Sequence, residues 1–103
     1  MRVIHITGAL SNSCLLASEL GNRLLELLQT ELKDHESIEL DFGGYKYLSK
    51  EFLKESFGTL CLTNGWNAAV FDQKIRITNM DEDDREDLEV VLNDLQLTMK
   101  FKN

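Results

Sequence analysis

A chain of 103 residues with no proline, six glycines and 43% hydrophobic residues has the makeup of one compact α/β-sized domain. Two domains would each be short of core, and the composition excludes a collagen-like or Pro/Gly-rich disordered chain. Eleven Lys and Arg face eighteen Asp and Glu, a formal net charge of -7, which argues against bulk attraction to nucleic acid or to an anionic membrane, since both need positive charge against phosphate.

Val3 to Ile6 is a short β-branched run that reads as a strand ending in a polar loop at Thr7-Gly8. Ser11-Asn12-Ser13 offers N-cap oxygens for a long helix expected from about Cys14 to Lys33. Its apolar stripe is Leu16, Leu20, Leu24, Leu27, Leu28 and Leu32, widened by Leu15 and Leu25. Ser37 to Phe42 reads as a second strand with Ile38, Leu40 and Phe42 on one face, broken by Gly43-Gly44. Tyr45 to Leu48 continues partly extended. Ser49 starts a second helix running to about Cys61, and Asn64-Gly65 closes it. Trp66 to Phe71 is expected as a short helix, and Lys74 to Thr78 as a third strand with Ile75 and Ile77 inward. Asp81 to Leu95 is expected as the last main helix, with Leu88, Val91, Leu92 and Leu95 on one face. The alternation of Leu97, Met99 and Phe101 suggests a short terminal strand. Strands alternating with helices predict a single α/β domain over residues 1–103, one small mixed sheet with helices packed on it.

The N-terminal residues lack a signal-peptide core, and no apolar stretch is long enough to cross a bilayer, so a cytoplasmic protein is expected. Cys14 and Cys61 both fall among leucines in expected helices and read as reduced, buried thiols. With no Cys/His cluster there is no zinc site to propose. His5 sits in a strand and His35 in a polar loop between acids; neither has a companion nucleophile in sequence. No nucleophile elbow, phosphate-binding loop or dinucleotide fingerprint is present. The expectation is a protein that is not an enzyme and carries no cofactor or metal.

Seven of the eighteen acids lie between Asp81 and Glu89, opposed by Arg85 alone, so that stretch is net -6 and the remainder -1. Acids at a helix start oppose the positive end of the helix dipole and can cap free amides. The run lacks the glycine and alternation of a calcium loop. The nearly neutral surface around Ser49 is therefore where function is expected.

The most informative stretch is Ile38 to Phe52: a buried strand ending in Asp41-Phe42, then Gly43-Gly44, an alternating Tyr45, Tyr47 and Leu48, and Ser49 at the mouth of a helix ending in Phe52. Phe57-Gly58 follows, and Ile75-Arg76-Ile77-Thr78-Asn79 precedes the last helix. This resembles the STAS domain of bacterial anti-sigma factor antagonists, and more closely a small STAS-like family of unknown function. The resemblance covers nearly the whole chain and rests largely on fold-determining residues. It implies a switchable regulatory module in the cytoplasm of a bacterium, binding a histidine-kinase-like ATPase that phosphorylates a serine at this helix start, or a transcription regulator. A phosphate there would add about -1.5 to -2 charge next to free amides. In this chain the acceptor pair of the antagonists falls on Lys50-Glu51, so the usual acceptor position is Glu51. Ser49 lies just before that pair and is either a helix cap or an alternative phosphoacceptor.

The partner surface expected from this resemblance comprises Asp41, Gly43, Gly44, Tyr45, Ser49, Lys50 and Glu51. The expected partner is a protein, with no direct contact to nucleic acid or membrane, and the chain itself is expected as a monomer or weak homodimer. Two alternatives come from other classes. One is a small nucleotide- or anion-binding protein using the Gly43-Gly44 loop and the Ser49 helix amides. The other is an acidic phage or mobile-element inhibitor of a host factor, using the run from Asp81 to Glu89.

Overall fold

The computed structural model describes the backbone of residues 2–101 and the side chains of residues 2–94. Three parallel strands form the main sheet in the order β1 (Arg2–His5), β3 (Ile38–Asp41), β5 (Ile75–Thr78). Their register aligns Ile4 with Leu40 and Ile77, and His5 with Asp41 and Thr78. A second parallel pair joins β2 (Cys14–Leu15) to β4 (Tyr47–Leu48). The α/β class is as expected. The sheet is parallel throughout and divided in two, in place of one mixed sheet, because every pair of neighbouring strands is joined through a helix and none forms a hairpin.

Side-chain alternation settles which face of the main sheet is covered. Ile4, Ile38, Leu40, Ile75 and Ile77 are buried, whereas Val3, His5 and Arg76 on the opposite face are exposed. The helices lie on the buried face. α2 (Ser18–Asp34) contributes Leu20, Leu24 and Leu28. α3 (Lys50–Leu53) runs through a π turn (Lys54–Gly58) into α4 (Thr59–Asn64) and contributes Phe52, Leu53, Phe57, Leu60 and Cys61. α5 (Ala68–Lys74) adds Phe71, and α6 (Glu82–Phe101) adds Leu88, Val91 and Leu92. Phe42, Phe57 and Phe71 meet ring to ring at the centre, with centroids 6.3 and 5.4 Å apart. The Cα radius of gyration is 12.8 Å, against about 13 Å for one compact body of this length.

Where α2 crosses α3, Gly21 removes a side chain that would collide. A Cβ there would lie 2.8 Å from Glu55 Cβ and 2.9 Å from the Phe52 carbonyl oxygen. Beside this crossing the second helix widens into its π turn, and buried Ser56 returns its hydroxyl to the Phe52 carbonyl at 2.7 Å.

Several expectations are corrected. Thr7-Gly8 is not a loop: Ile6–Leu10 forms a short helix, α1, ended by Ser11 at φ 53°. α2 begins at Ser18 rather than Cys14, and its N-cap is Ala17. Cys14 and Leu15 are held extended instead and Leu16 turns out of the strand, because β4 and Ser49 bind this backbone; the Ser49 amide donates to the Leu15 carbonyl at 3.0 Å. Cys14 is consequently a half-exposed strand residue, whereas Cys61 is buried in a helix as expected. Leu16, counted in the helix stripe, is 51% exposed. The terminal strand at Leu97, Met99 and Phe101 is a continuation of α6. The expected burial of Leu95 lies outside the described side chains. Among the described residues no helix is long and apolar enough to cross a membrane.

Candidate functional site

The carboxyl ends of the parallel strands gather the polar residues that the local sequence places in turns. β3 ends on Asp41, and Phe42 keeps the ladder for one more step by donating its amide to the Thr78 carbonyl at 2.9 Å. The chain then reverses, with the Tyr45 amide donating to the Phe42 carbonyl at 3.3 Å. Gly44 takes φ +86° in this turn, a value that costs glycine little and an L side chain much. Asp41 fixes the turn from inside: its Oδ1 accepts from the Gly43 amide at 2.8 Å.

The same Oδ1 accepts from Asn79 Nδ2 at 2.8 Å, and Oδ2 lies 3.2 Å from His5 Nδ1. Asn79 sits just beyond β5 at φ 60°, a left-handed conformation that asparagine tolerates. One carboxylate therefore ties together the ends of β1, β3 and β5. The Asn79 donor, then the Gly43 amide and His5, hold the Asp41 carboxyl below the usual carboxylate range. The Asp41-Phe42-Gly43 segment and Ile75-to-Asn79, far apart in sequence, meet in this bond. Asn79 was not among the residues singled out for the site. The signal for it was its place at the end of the Ile75-to-Asn79 segment that carries the family resemblance.

Tyr45 joins the loop to the last helix. Its hydroxyl donates to Asp84 Oδ2 at 2.5 Å and accepts from the Asp81 amide at 2.9 Å. Burial first, and then the Asp84 carboxylate, raise the Tyr45 phenol well above its usual range. Four residues on, Ser49 closes the other side. Its Oγ accepts from the Phe52 amide at 3.1 Å, so it is the N-cap of α3. The same Oγ donates to the Leu16 carbonyl at 2.9 Å. Lys50 approaches Asp87 of α6 at 3.9 Å, and Glu51 is exposed in the first turn of α3.

Asp41, Gly43, Gly44 and Tyr45 thus line one end of this surface, and Ser49, Lys50 and Glu51 the other. Between and beside them stand two large apolar residues exposed to solvent, Tyr47 at 61% and Leu16 at 51%. The strand pairing explains both. Leu15 and Leu48 are aligned and turned inward, so the alternation turns Cys14 and Tyr47 outward, while Leu16 lies in the turn just after β2, where its carbonyl accepts from Ser49 Oγ. Sequence periodicity missed Leu16 because it was counted as a helix position.

The acidic run does not lie apart from this surface, as its separation in sequence suggested. Tyr45 and Lys50 bind Asp84 and Asp87 directly, so the start of α6 flanks Ser49. The expectation of a neutral surface around Ser49 is corrected accordingly. Among the described residues no group of three or more His, Cys, Asp or Glu side chains is placed to hold a metal ion. An open cleft of about 550 Å³, with Lys33, His35, Trp66 and Lys74 on its walls, lies at the opposite end of the strands.

No curated protein and no solved structure shows significant similarity to the chain. A family model described as a STAS-like domain of unknown function matches residues 21–85, more than half of the sequence. That span contains Asp41, the glycine turn, Tyr45, the Ser49 cap and Asn79. The chain belongs to this STAS-like domain family of unknown function.

Proposed function

We propose that the chain is a non-enzymatic, regulatory protein-interaction module that docks through the surface from Asp41 to Glu51. The observation that supports this reading is the placement of Leu16 and Tyr47. Large apolar side chains exposed on the β2–β4 pair and in the turn just after it, beside a pinned turn and a capped helix, are what a partner needs for a preformed contact. The partner class we favour is a histidine-kinase-like ATPase or a transcription regulator, following the STAS-like relationship.

Phosphorylation of Ser49 would have a structural consequence. Esterifying its Oγ removes the proton it gives to the Leu16 carbonyl, loosening the tie between β2 and α3. The docking surface would then change at its apolar centre. An anion seated in the Gly43-Gly44 loop, the alternative reading, meets an obstacle: the Gly43 amide already serves Asp41, whose negative charge would repel it.

The test is affinity capture from the native host with the wild-type chain and with Tyr47→Ala and Leu16→Ser, both exposed and so tolerant of change. A protein retained by the wild type and lost from both variants supports the module. Identical captures by all three refute it. Mass spectrometry of the chain recovered with its partner reads phosphate on Ser49 directly, and its consistent absence leaves Ser49 as a cap.

A further inference from the structure

The exposed apolar centre has a defined electrostatic border. On its flank, Asp84 accepts from the Tyr45 hydroxyl and Asp87 lies 3.9 Å from the Lys50 ammonium. Asp83 lies four residues before Asp87, so it shares the flank of α6 that faces α3. Glu51 and Asp81 are exposed nearby. Five carboxylates thus stand on the segments that flank Leu16 and Tyr47, against the ammonium groups of Lys46, Lys50 and Lys54.

Resting on the docking reading above, we propose that the occupant of this surface is a basic protein segment: an apolar residue that seats against Leu16 and Tyr47, flanked by Arg or Lys that face the α6 carboxylates. The division of labour is physical. The apolar contact supplies affinity that salt does not weaken. The carboxylates set association rate and partner choice, since an acidic or nucleic-acid partner would bring like charge against them. Arginine suits the border best, because its planar fork pairs with carboxylates and stacks on an exposed tyrosine ring. The Lys50–Asp87 pair, exposed and 3.9 Å long, is weak enough to be exchanged for a partner's cation.

The test is selection of a random displayed-peptide library, about twelve residues long, against the full chain at low salt, followed by titration of the enriched peptides. Three variants are compared with the wild type: Tyr47→Ala, Leu16→Ser, and the double variant Asp83→Asn with Asp87→Asn. Thermal melting checks that each is folded. The expected peptides carry net positive charge and an apolar residue. They bind the double variant about tenfold more weakly, as two lost charge contacts imply, and weaken again as salt rises from ~20 to ~300 mM. Both Tyr47→Ala and Leu16→Ser abolish binding. Neutral or acidic peptides, or unchanged affinity for the double variant, overturn the basic partner. If those peptides still lose binding in Tyr47→Ala, the docking surface itself stands. Peptides that bind Tyr47→Ala and Leu16→Ser like the wild type, or a selection that enriches nothing, overturn both.

Discussion

Ser49→Ala should destabilise the fold by about 1–2 kcal/mol. The hydroxyl makes two bonds: it accepts from the Phe52 amide at 3.1 Å and donates to the Leu16 carbonyl at 2.9 Å. Losing a serine N-cap typically costs ~1 kcal/mol, because the amide it served is left without a partner. Phe52 is fully buried, so water is a poor substitute there. The Leu16 carbonyl belongs to an exposed residue and recovers more, so the second bond adds only about 0.5 kcal/mol. In a domain of this size each kcal/mol moves Tm by roughly 4–8 °C, so the expected fall is roughly 4–16 °C. Ser49→Asp separates the two bonds. Its carboxylate keeps the cap and favours the helix N-terminus, but it has no proton for the Leu16 carbonyl. It should fall between wild type and Ser49→Ala. Urea unfolding followed by circular dichroism measures both, with unchanged m-values as the check on the denatured state. A Ser49→Ala stability within ~0.3 kcal/mol of wild type would refute the reasoning, as would Ser49→Asp falling below Ser49→Ala.

Three further outcomes are expected. Gly21→Ala gains up to ~1 kcal/mol of helix propensity but forces its Cβ to 2.8 Å from Glu55 Cβ and 2.9 Å from the Phe52 oxygen. Overpacking of ~1–3 kcal/mol should win, and equal or greater stability would contradict the close crossing. Asn79→Ala removes the largest influence lowering the Asp41 carboxyl. Because that carboxyl is depressed in the folded state, its stabilisation is present above the unfolded value of ~3.9 and is lost as pH falls through the lower folded value. The Asp41 carboxyl titration followed by carbon NMR should therefore move up in the variant, and acid unfolding should begin at higher pH; an unmoved midpoint would sink the clamp. Of the two thiols, Cys14 should react first with an aromatic disulfide at pH ~8, since burial pushes the Cys61 thiol up to about 11. Cys61 should react only on unfolding, and equal labelling rates would show that it is not buried. The raised thiol stabilises the fold below its ordinary value of 9, and that contribution is lost as pH rises through about 11.

The acidic run illustrates how far composition reaches. Its seven carboxylates explain nearly all of the net charge. Their position at the start of α6 was legible from sequence, since acids favour the positive end of a helix. Their role at the docking surface was not, because it depends on Tyr45 and Lys50, 39 and 37 residues away from their respective carboxylate partners, meeting α6 in space.

Local pattern by itself determined the core strands, the glycine turn and the Ser49 cap. These rest on alternation, on positive φ and on a side chain reaching three residues along the chain, all short-range effects. The same short-range signals failed from Ser11 to Leu16. The leucines there fit a helix, but a parallel partner strand and the Ser49 hydroxyl claim that backbone, so Leu16 is turned to solvent. Tertiary hydrogen bonds overrode helical periodicity at that point. Only the folded chain could bring Asn79 to Asp41, Tyr45 to Asp84 and Cys14 beside Tyr47, because each pairing joins segments whose separation in sequence carries no local signal.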